Sequence, residues 1–158
     1  WLSSRFEMDL SSPNDAFTCQ GSAEPMSFGL FNGFLLPSYN FHFEGGEILK
    51  MEYSFRADNR SATGKMNLQY QGLDVAVQND ANEKKRLLSE FAELVLLIKN
   101  NKPGDEDFRL GEISVKREKS KGFFNLWWRA VQSGLTSTVL SNAGVKQMEK
   151  QKAKGKSR

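Results

Sequence analysis

Apolar and polar side chains alternate through most of the first half of the chain. Phe6, Met8 and Leu10 alternate with Glu7, Asp9 and Ser11. Leu49, Met51, Tyr53 and Phe55 alternate with Lys50, Glu52, Ser54 and Arg56. Met66, Leu68 and Tyr70 alternate with Asn67, Gln69 and Gln71, and Leu73, Val75 and Val77 follow Gly72. A period of two over such runs predicts antiparallel strands with one apolar and one wet face. Residues 17–22, 28–36 and 39–43 are strand-like too. Turn chemistry separates these runs at Ser12-Pro13-Asn14-Asp15, Pro37-Ser38, Gly45-Gly46 and Asp58-Asn59-Arg60-Ser61.

The period then changes. Asp80-Ala81-Asn82-Glu83 has the form of a capping box. Leu87, Phe91, Leu94, Val95 and Ile98 follow at helical spacing, and Asn100-Asn101-Lys102-Pro103-Gly104 stops the helix. An acidic loop (Asp105, Glu106, Asp107) leads into a strand over 110–117, with Ile113 and Val115 on one face. A second helix is expected from about Ser120 to Asn142, stopped at Gly144. Its stripe is Phe124, Trp128, Val131, Leu135 and Val139, widened by Phe123 and Trp127. Gly134 in its middle costs roughly 1 kcal/mol relative to Ala and marks close packing or a kink.

The order predicts an α+β fold. A curved antiparallel amphipathic sheet of about seven or eight strands is followed by two amphipathic helices toward the C-terminus. Residues 1–144 form one β-rich domain, and 145–158 a basic disordered tail. Seven strands at roughly 4.8 Å spacing span about 34 Å. Two helices about 10 Å across cover only part of that. The sheet therefore has apolar surface to spare, for curling, for further chain, or for lipid.

The chain has 158 residues, 39% hydrophobic and 26% charged, enough for one domain with a core. The formal charge of +3 conceals an asymmetry. Residues 145–158 hold Lys146, Lys150, Lys152, Lys154, Lys156 and Arg158 against the single acid Glu149, while acids outnumber bases elsewhere. Such a tail either contacts phosphate-bearing partners or stays solvated. The strands carry mixed charges, without basic residues interleaved with aromatics, which argues against nucleic acid. One Cys (Cys19) allows no internal disulfide, and one His (His42) excludes any site that needs two. No G-x-S-x-G, H-E-x-x-H or C-x-x-C motif occurs, and Lys154-Gly155-Lys156-Ser157 lacks the first glycine of a P-loop. No catalytic residue, metal site or cofactor is expected. Trp1-Leu2 opens the chain directly into strand-like sequence, as in a fragment of a longer protein.

The densest feature is Phe123-Phe124-Asn125-Leu126-Trp127-Trp128-Arg129. Neighbours along a helix differ by about 100° around its axis, so four such rings cannot share one core face. Either they form a wide packing face, or some of them, flanked by Lys119, Lys121 and Arg129, meet a membrane or a partner.

The second half resembles the C-terminal region of the AsmA-like proteins of the Gram-negative envelope, a superfamily that includes TamB-like proteins. The matching pieces are Gly64-Lys65-Met66-Asn67-Leu68-Gln69-Tyr70-Gln71-Gly72-Leu73-Asp74-Val75, then Leu94 to Pro103 with its Asn100-Asn101, then Gly111-Glu112-Ile113 with Arg117, and finally Lys121 to Arg129 running into Ser133-Gly134-Leu135. The resemblance implies a non-enzymatic, membrane-associated periplasmic module acting in phospholipid transfer or outer-membrane and envelope assembly. It implies an apolar groove, for which Leu49, Met51, Tyr53, Phe55, Met66, Leu68 and Tyr70 are the candidates. On this reading Phe123, Phe124, Trp127, Trp128 and Arg129 are the candidates for membrane or partner contact. The expected partners are phospholipid or a membrane surface and other envelope proteins. The alternative is an envelope protein-interaction domain with no lipid role.

Overall fold

The computed structural model describes residues 1–35, 41–77 and 98–140. The expected helix over 80–98, as far as residue 97, and the basic tail lie outside the described residues, as does the side chain of His42. Within them the fold is α+β: an open antiparallel sheet of six strands with one long helix. The strands are β1 (Leu2–Met8), β2 (Phe17–Ala23), β3 (Met26–Ser27), β4 (Phe41–Ala57), β5 (Ser61–Val77) and β6 (Gly111–Lys116). They lie in the order β1-β2-β4-β5-β6, and β3 continues the line of β2 along β4 beyond Glu24-Pro25. A 3-10 turn (Phe28–Phe31) and a short helix α1 (Asn32–Leu35) follow β3, and the long helix α2 (Phe123–Val139) follows β6.

Three differences from the sequence expectation reduce the strand count. Gly45-Gly46 is not a turn between strands but a bulge inside β4, where the register against β5 shifts. Gly46 has φ 110°, and a Cβ there would meet Leu73 Cα at 2.9 Å, so the backbones approach in a way only glycine allows. Gly72 (φ 62°) likewise lies within a continuous β5. Of the expected strand over 28–36, residues 28–35 form the 3-10 turn and α1 instead. Ser27 caps the 3-10 turn by accepting from Gly29 N at 3.1 Å. The side-chain amide of Asn32 then both donates to Phe43 O (2.9 Å) and accepts from Phe43 N (2.8 Å). That clamp holds Phe28 down against Phe43 and Tyr70, with Phe31 buried beside Phe28.

A second irregularity, at Leu49, corrects the facing of β4. Register slips between Ile48 and Lys50, so Ile48 is fully buried and Leu49 only half-buried. An extra residue in a strand reverses the alternation on one side of it. From Met51 to Ala57 the expected phase holds. The inward face carries Phe17, Cys19, Met51, Tyr53, Phe55, Met66, Leu68, Tyr70 and Ile113. Lys50, Glu52, Ser54, Arg56, Thr63, Lys65, Glu112 and Ser114 line the exposed face.

Helix α2 covers the inward face on a stripe rotated from the expected one and sharing Val131 with it. Its buried positions are Leu126, Ala130, Val131, Gly134 and Thr138. Of the expected stripe, Val131 is buried and Trp128, Leu135 and Val139 pack at the flank of the core, while Phe124 is turned away and 72% exposed. The reason is size. Ala130 and Gly134 let the helix approach the sheet closely, and a large side chain in that row would hold it off. A Cβ on Gly134 would meet Met66 Cε at 2.9 Å and Ile113 Cγ1 at 3.1 Å, and one on Gly111 would overlap Thr138 Oγ1 and Gly134 O. Gly134 therefore serves close packing.

This approach brings α2 alongside the outer edge of β6. Ser137 Oγ accepts from Glu112 N (2.7 Å) and lies 2.9 Å from Glu112 O. Ser133 Oγ accepts from Ser114 N (3.1 Å), and Arg129 Nη1 donates to Lys116 O (3.3 Å) and Glu118 Oε1 (2.7 Å). Four helical residues rise about 6 Å. Two strand residues advance about 6.7 Å. Arg129, Ser133 and Ser137 thus keep step with Lys116, Ser114 and Glu112, and the main-chain groups of an edge strand are satisfied by helix side chains.

Between β5 and β6 the segment 98–110 is fixed by two asparagines. Asn100 Oδ1 accepts from Gly72 N at 2.9 Å. Asn101 is fully buried: its main chain bridges Tyr70, its amide donates to Leu68 O (2.6 Å) and Arg109 O (3.0 Å), and its Oδ1 accepts from Arg109 N (2.9 Å).

Two outcomes test this account. Gly111→Ala is expected to destabilise the fold by about 1–3 kcal/mol in urea titration, because the added methyl forces α2 off the strand. Ser137→Ala is expected to cost about 1 kcal/mol and to speed hydrogen exchange selectively at the Glu112 amide, which loses its acceptor.

Candidate functional site

The two edges of the sheet are unlike. The β6 edge is closed by α2. At the opposite edge, β1 pairs with β2 on one side, and among the described residues no strand pairs with its other side. Glu24 N donates to Trp1 O at 3.0 Å, which fixes the phase of the ladder. Trp1, Ser3, Arg5 and Glu7 direct their main-chain groups to β2. Leu2, Ser4, Phe6 and Met8 therefore direct theirs outward.

Apolar side chains gather near this edge. Trp1 is 91% exposed, Leu2 44%, Met8 50% and Leu10 95%. Phe6 faces inward, with its ring 5.1 Å from Phe123 and 6.4 Å from Phe17. Phe123 contacts Phe17 at 4.9 Å and Phe124 at 5.5 Å between centroids. The N-terminal turn of α2 is thus laid across the ends of β1 and β2, and Phe124 stands beside it in solvent.

The other ring-bearing candidates are engaged inside. Trp127 is half-buried, and its indole N–H donates to Tyr53 Oη at 3.2 Å. Tyr53 Oη also lies 2.6 Å from Ser4 Oγ, and its ring lies across Gly21 on β2, where any Cβ would collide with it. Trp128 is half-buried, 6.2 Å from Trp127. Arg129 is held by Lys116 O and Glu118. Of the aromatic cluster, Phe124 alone is exposed to a partner; the rest pack against the core.

The groove candidates are also interior. Met51, Tyr53, Phe55, Met66, Leu68 and Tyr70 are all buried beneath α2, the 3-10 turn and neighbouring strands, and Leu49 is half-buried at the bulge. They form a packed core where an open trough was expected, because close docking of α2 and the Asn32 clamp cover the face from two ends.

Titration behaviour follows this burial. Burial pushes the Cys19 thiol up to about 11, against the opposing pull of the Trp127 side chain. Burial raises the Tyr53 hydroxyl too, and raises the Tyr70 hydroxyl further; Tyr70 donates to Ile98 O at 2.8 Å. These groups are held neutral, the opposite of an activated thiolate. Among the described residues no three His, Cys, Asp or Glu side chains converge as metal ligands, and no helix is long and apolar enough to cross a membrane.

Sequence reasoning missed the sealed edge. Its signal is present as Arg129-x-x-x-Ser133-x-x-x-Ser137, small polar groups at a four-residue spacing beside the small row Ala130, Gly134 and Thr138. Compared with known proteins, the chain matches no protein-family model, no curated protein and no solved structure.

The raised acids give a stability prediction with a definite sign. Above the ordinary pKa of each group the unfolded chain releases protons that the folded chain retains, so stability falls with rising pH. The Cys19 contribution is complete below about pH 9 and is lost as pH rises to about 11, with Tyr53 and Tyr70 adding loss from about pH 10. Urea titrations are expected to give equal stability at pH 7 and 8, and lower stability at pH 10.5. Cys19→Ser should flatten the first part of that fall.

Proposed function

We propose that this chain is a non-enzymatic terminal module of an AsmA-like protein of the Gram-negative envelope, periplasmic and membrane-associated, acting in phospholipid transfer or envelope assembly. The observation that carries the reading is the inequality of the two sheet edges. One is closed by a helix, and the other offers main-chain donors and acceptors beside uncovered apolar side chains. That is the form of an end piece, which stops a sheet on one side and makes contact on the other. The residues that carry the family resemblance lend support, because they build the closed side: Met66 and Gly111 beneath α2, Asn100 and Asn101 bonded to β5 from the segment that follows it, Ser133 and Gly134 on the helix.

In this reading Met51, Tyr53, Phe55, Met66, Leu68 and Tyr70 are the floor of the closing unit, and acyl chains or a membrane are met at the rim near Met8, Leu10 and Phe124. Lys119 and Lys121, exposed just before α2, add attraction to anionic head groups, about 1 kcal/mol for each side chain close to such a surface. The burial of the groove candidates favours a second reading, an envelope protein-interaction domain that uses the β1 edge and carries no lipid.

Native mass spectrometry of the chain after gentle extraction from a Gram-negative envelope separates the two. Bound phospholipid is expected on the first reading. A lipid-free mass together with an envelope protein partner supports the second, and a lipid-free mass with no partner removes both.

A further inference from the structure

We propose that the β1 edge binds a second copy of this chain, β1 against β1, in the antiparallel register centred on Phe6. The proposal rests on the reading of β1 as the contact edge and names its occupant.

The argument is charge complementarity at a fixed register. Leu2, Ser4, Phe6 and Met8 direct their main-chain groups outward, so they form the hydrogen-bonded positions of any added antiparallel strand. Ser3, Arg5 and Glu7 then fall at the non-hydrogen-bonded positions, where opposed Cα atoms are only about 4.5 Å apart. Arg5 and Glu7 are exposed on the same wet face and already form an ion pair at 3.1 Å. Centred on Arg5, a symmetric pairing sets two guanidinium groups against each other; centred on Glu7, it sets two carboxylates so. Centred on Ser4, it leaves Glu7 opposite Trp1 of the second copy. Centred on Phe6, it sets Arg5 opposite Glu7 of the second copy and Glu7 opposite its Arg5. Opposite charges at opposed positions favour a register, and like charges disfavour one.

The inward face agrees. In that register Phe6 meets Phe6 of the second copy across the dyad. The ring cluster of Phe17, Phe6 and Phe123 continues into its counterpart, and the half-exposed Met8 falls opposite Ser4 of the second copy. The contact is isologous and closes on itself, so it yields a dimer and not a fibre.

Sedimentation of the full 158-residue chain at rising concentration is expected to show a monomer–dimer equilibrium. Arg5→Glu alone and Glu7→Arg alone should each weaken the dimer about tenfold. The double variant Arg5→Glu/Glu7→Arg should restore it. All these side chains are exposed, so the fold is retained, and circular dichroism checks that. Oxidation of Arg5→Cys mixed with Glu7→Cys should give the mixed disulfide over either self-disulfide, with Cys19 buried and silent. A chain that stays monomeric, charge reversals without effect, or a dominant Arg5→Cys self-disulfide overturns the proposal. A monomer that still retains an envelope partner at β1 leaves the contact-edge reading standing. A dimer indifferent to every β1 variant overturns the proposal, because its contact then lies elsewhere on the chain.

Discussion

Everything in this fold hangs on how closely α2 lies against β6. A helix cannot extend a sheet, because its own main-chain groups are turned inward along its axis. It can serve an exposed strand only through side chains, and only if their spacing follows the strand. Arg129, Ser133 and Ser137 do so because four helical residues and two strand residues advance by nearly the same length. Hydroxyls short enough to reach the strand demand that the helix axis come near, and Gly111, Ala130 and Gly134 make that approach possible. Enlarging any one of them separates the hydroxyls from their partners and uncovers Met66 and Ile113 at once. Edge protection and core burial are therefore a single interaction here.

The same docking decides what the aromatic residues do. With small residues in the central row, the large rings of α2 are displaced to its N-terminal end, where Phe123 closes on Phe6 and Phe17 and Trp127 reaches Tyr53. Tyr53 in turn covers Gly21, so one tyrosine fills a gap in β2, accepts from Trp127 and bonds Ser4 on β1. These contacts tie the first strand of the sheet to the last helix of the described chain. They also place Cys19 under an aromatic cover, which holds its thiol neutral.

The sequence made the strands legible wherever alternation was uninterrupted, as in Met51–Phe55 and Met66–Tyr70, because a period of two admits only one assignment of faces. It failed where glycine has two meanings. Gly45-Gly46 and Gly72 have the composition of turns, yet the long-range pairing of β4 with β5 carries the strands through them. Residues 28–36 were misread because Phe28, Phe31 and the clamp of Asn32 depend on a partner, Phe43, that local pattern does not reveal. The helix stripe was placed too near Phe124 for a related reason. Hydrophobicity ranks Phe124 and Trp128 above Gly134 and Thr138, whereas close packing selects by size. The candidate groove was legible as an apolar face but not as a covered one, since cover comes from elements far away in sequence.

A closed core narrows the chemistry open to this chain. Met51, Tyr53, Phe55, Met66, Leu68 and Tyr70 make their contacts within the fold, and any ligand that displaced them would have to offset the whole of that packing. Binding at the rim carries no such cost. At β1 the main chain is already extended and desolvation is partial, so an incoming strand gains hydrogen bonds without opening the interior. Natural edge strands are usually blunted by proline, inward charge or a covering element. In β1 the charges Arg5 and Glu7 lie on the wet face, and the inward face keeps Phe6 and Met8. Among the described residues one edge is guarded by a dedicated helix and the other keeps its outward main-chain groups beside apolar side chains, so a strand added at β1 would leave the sheet interior undisturbed.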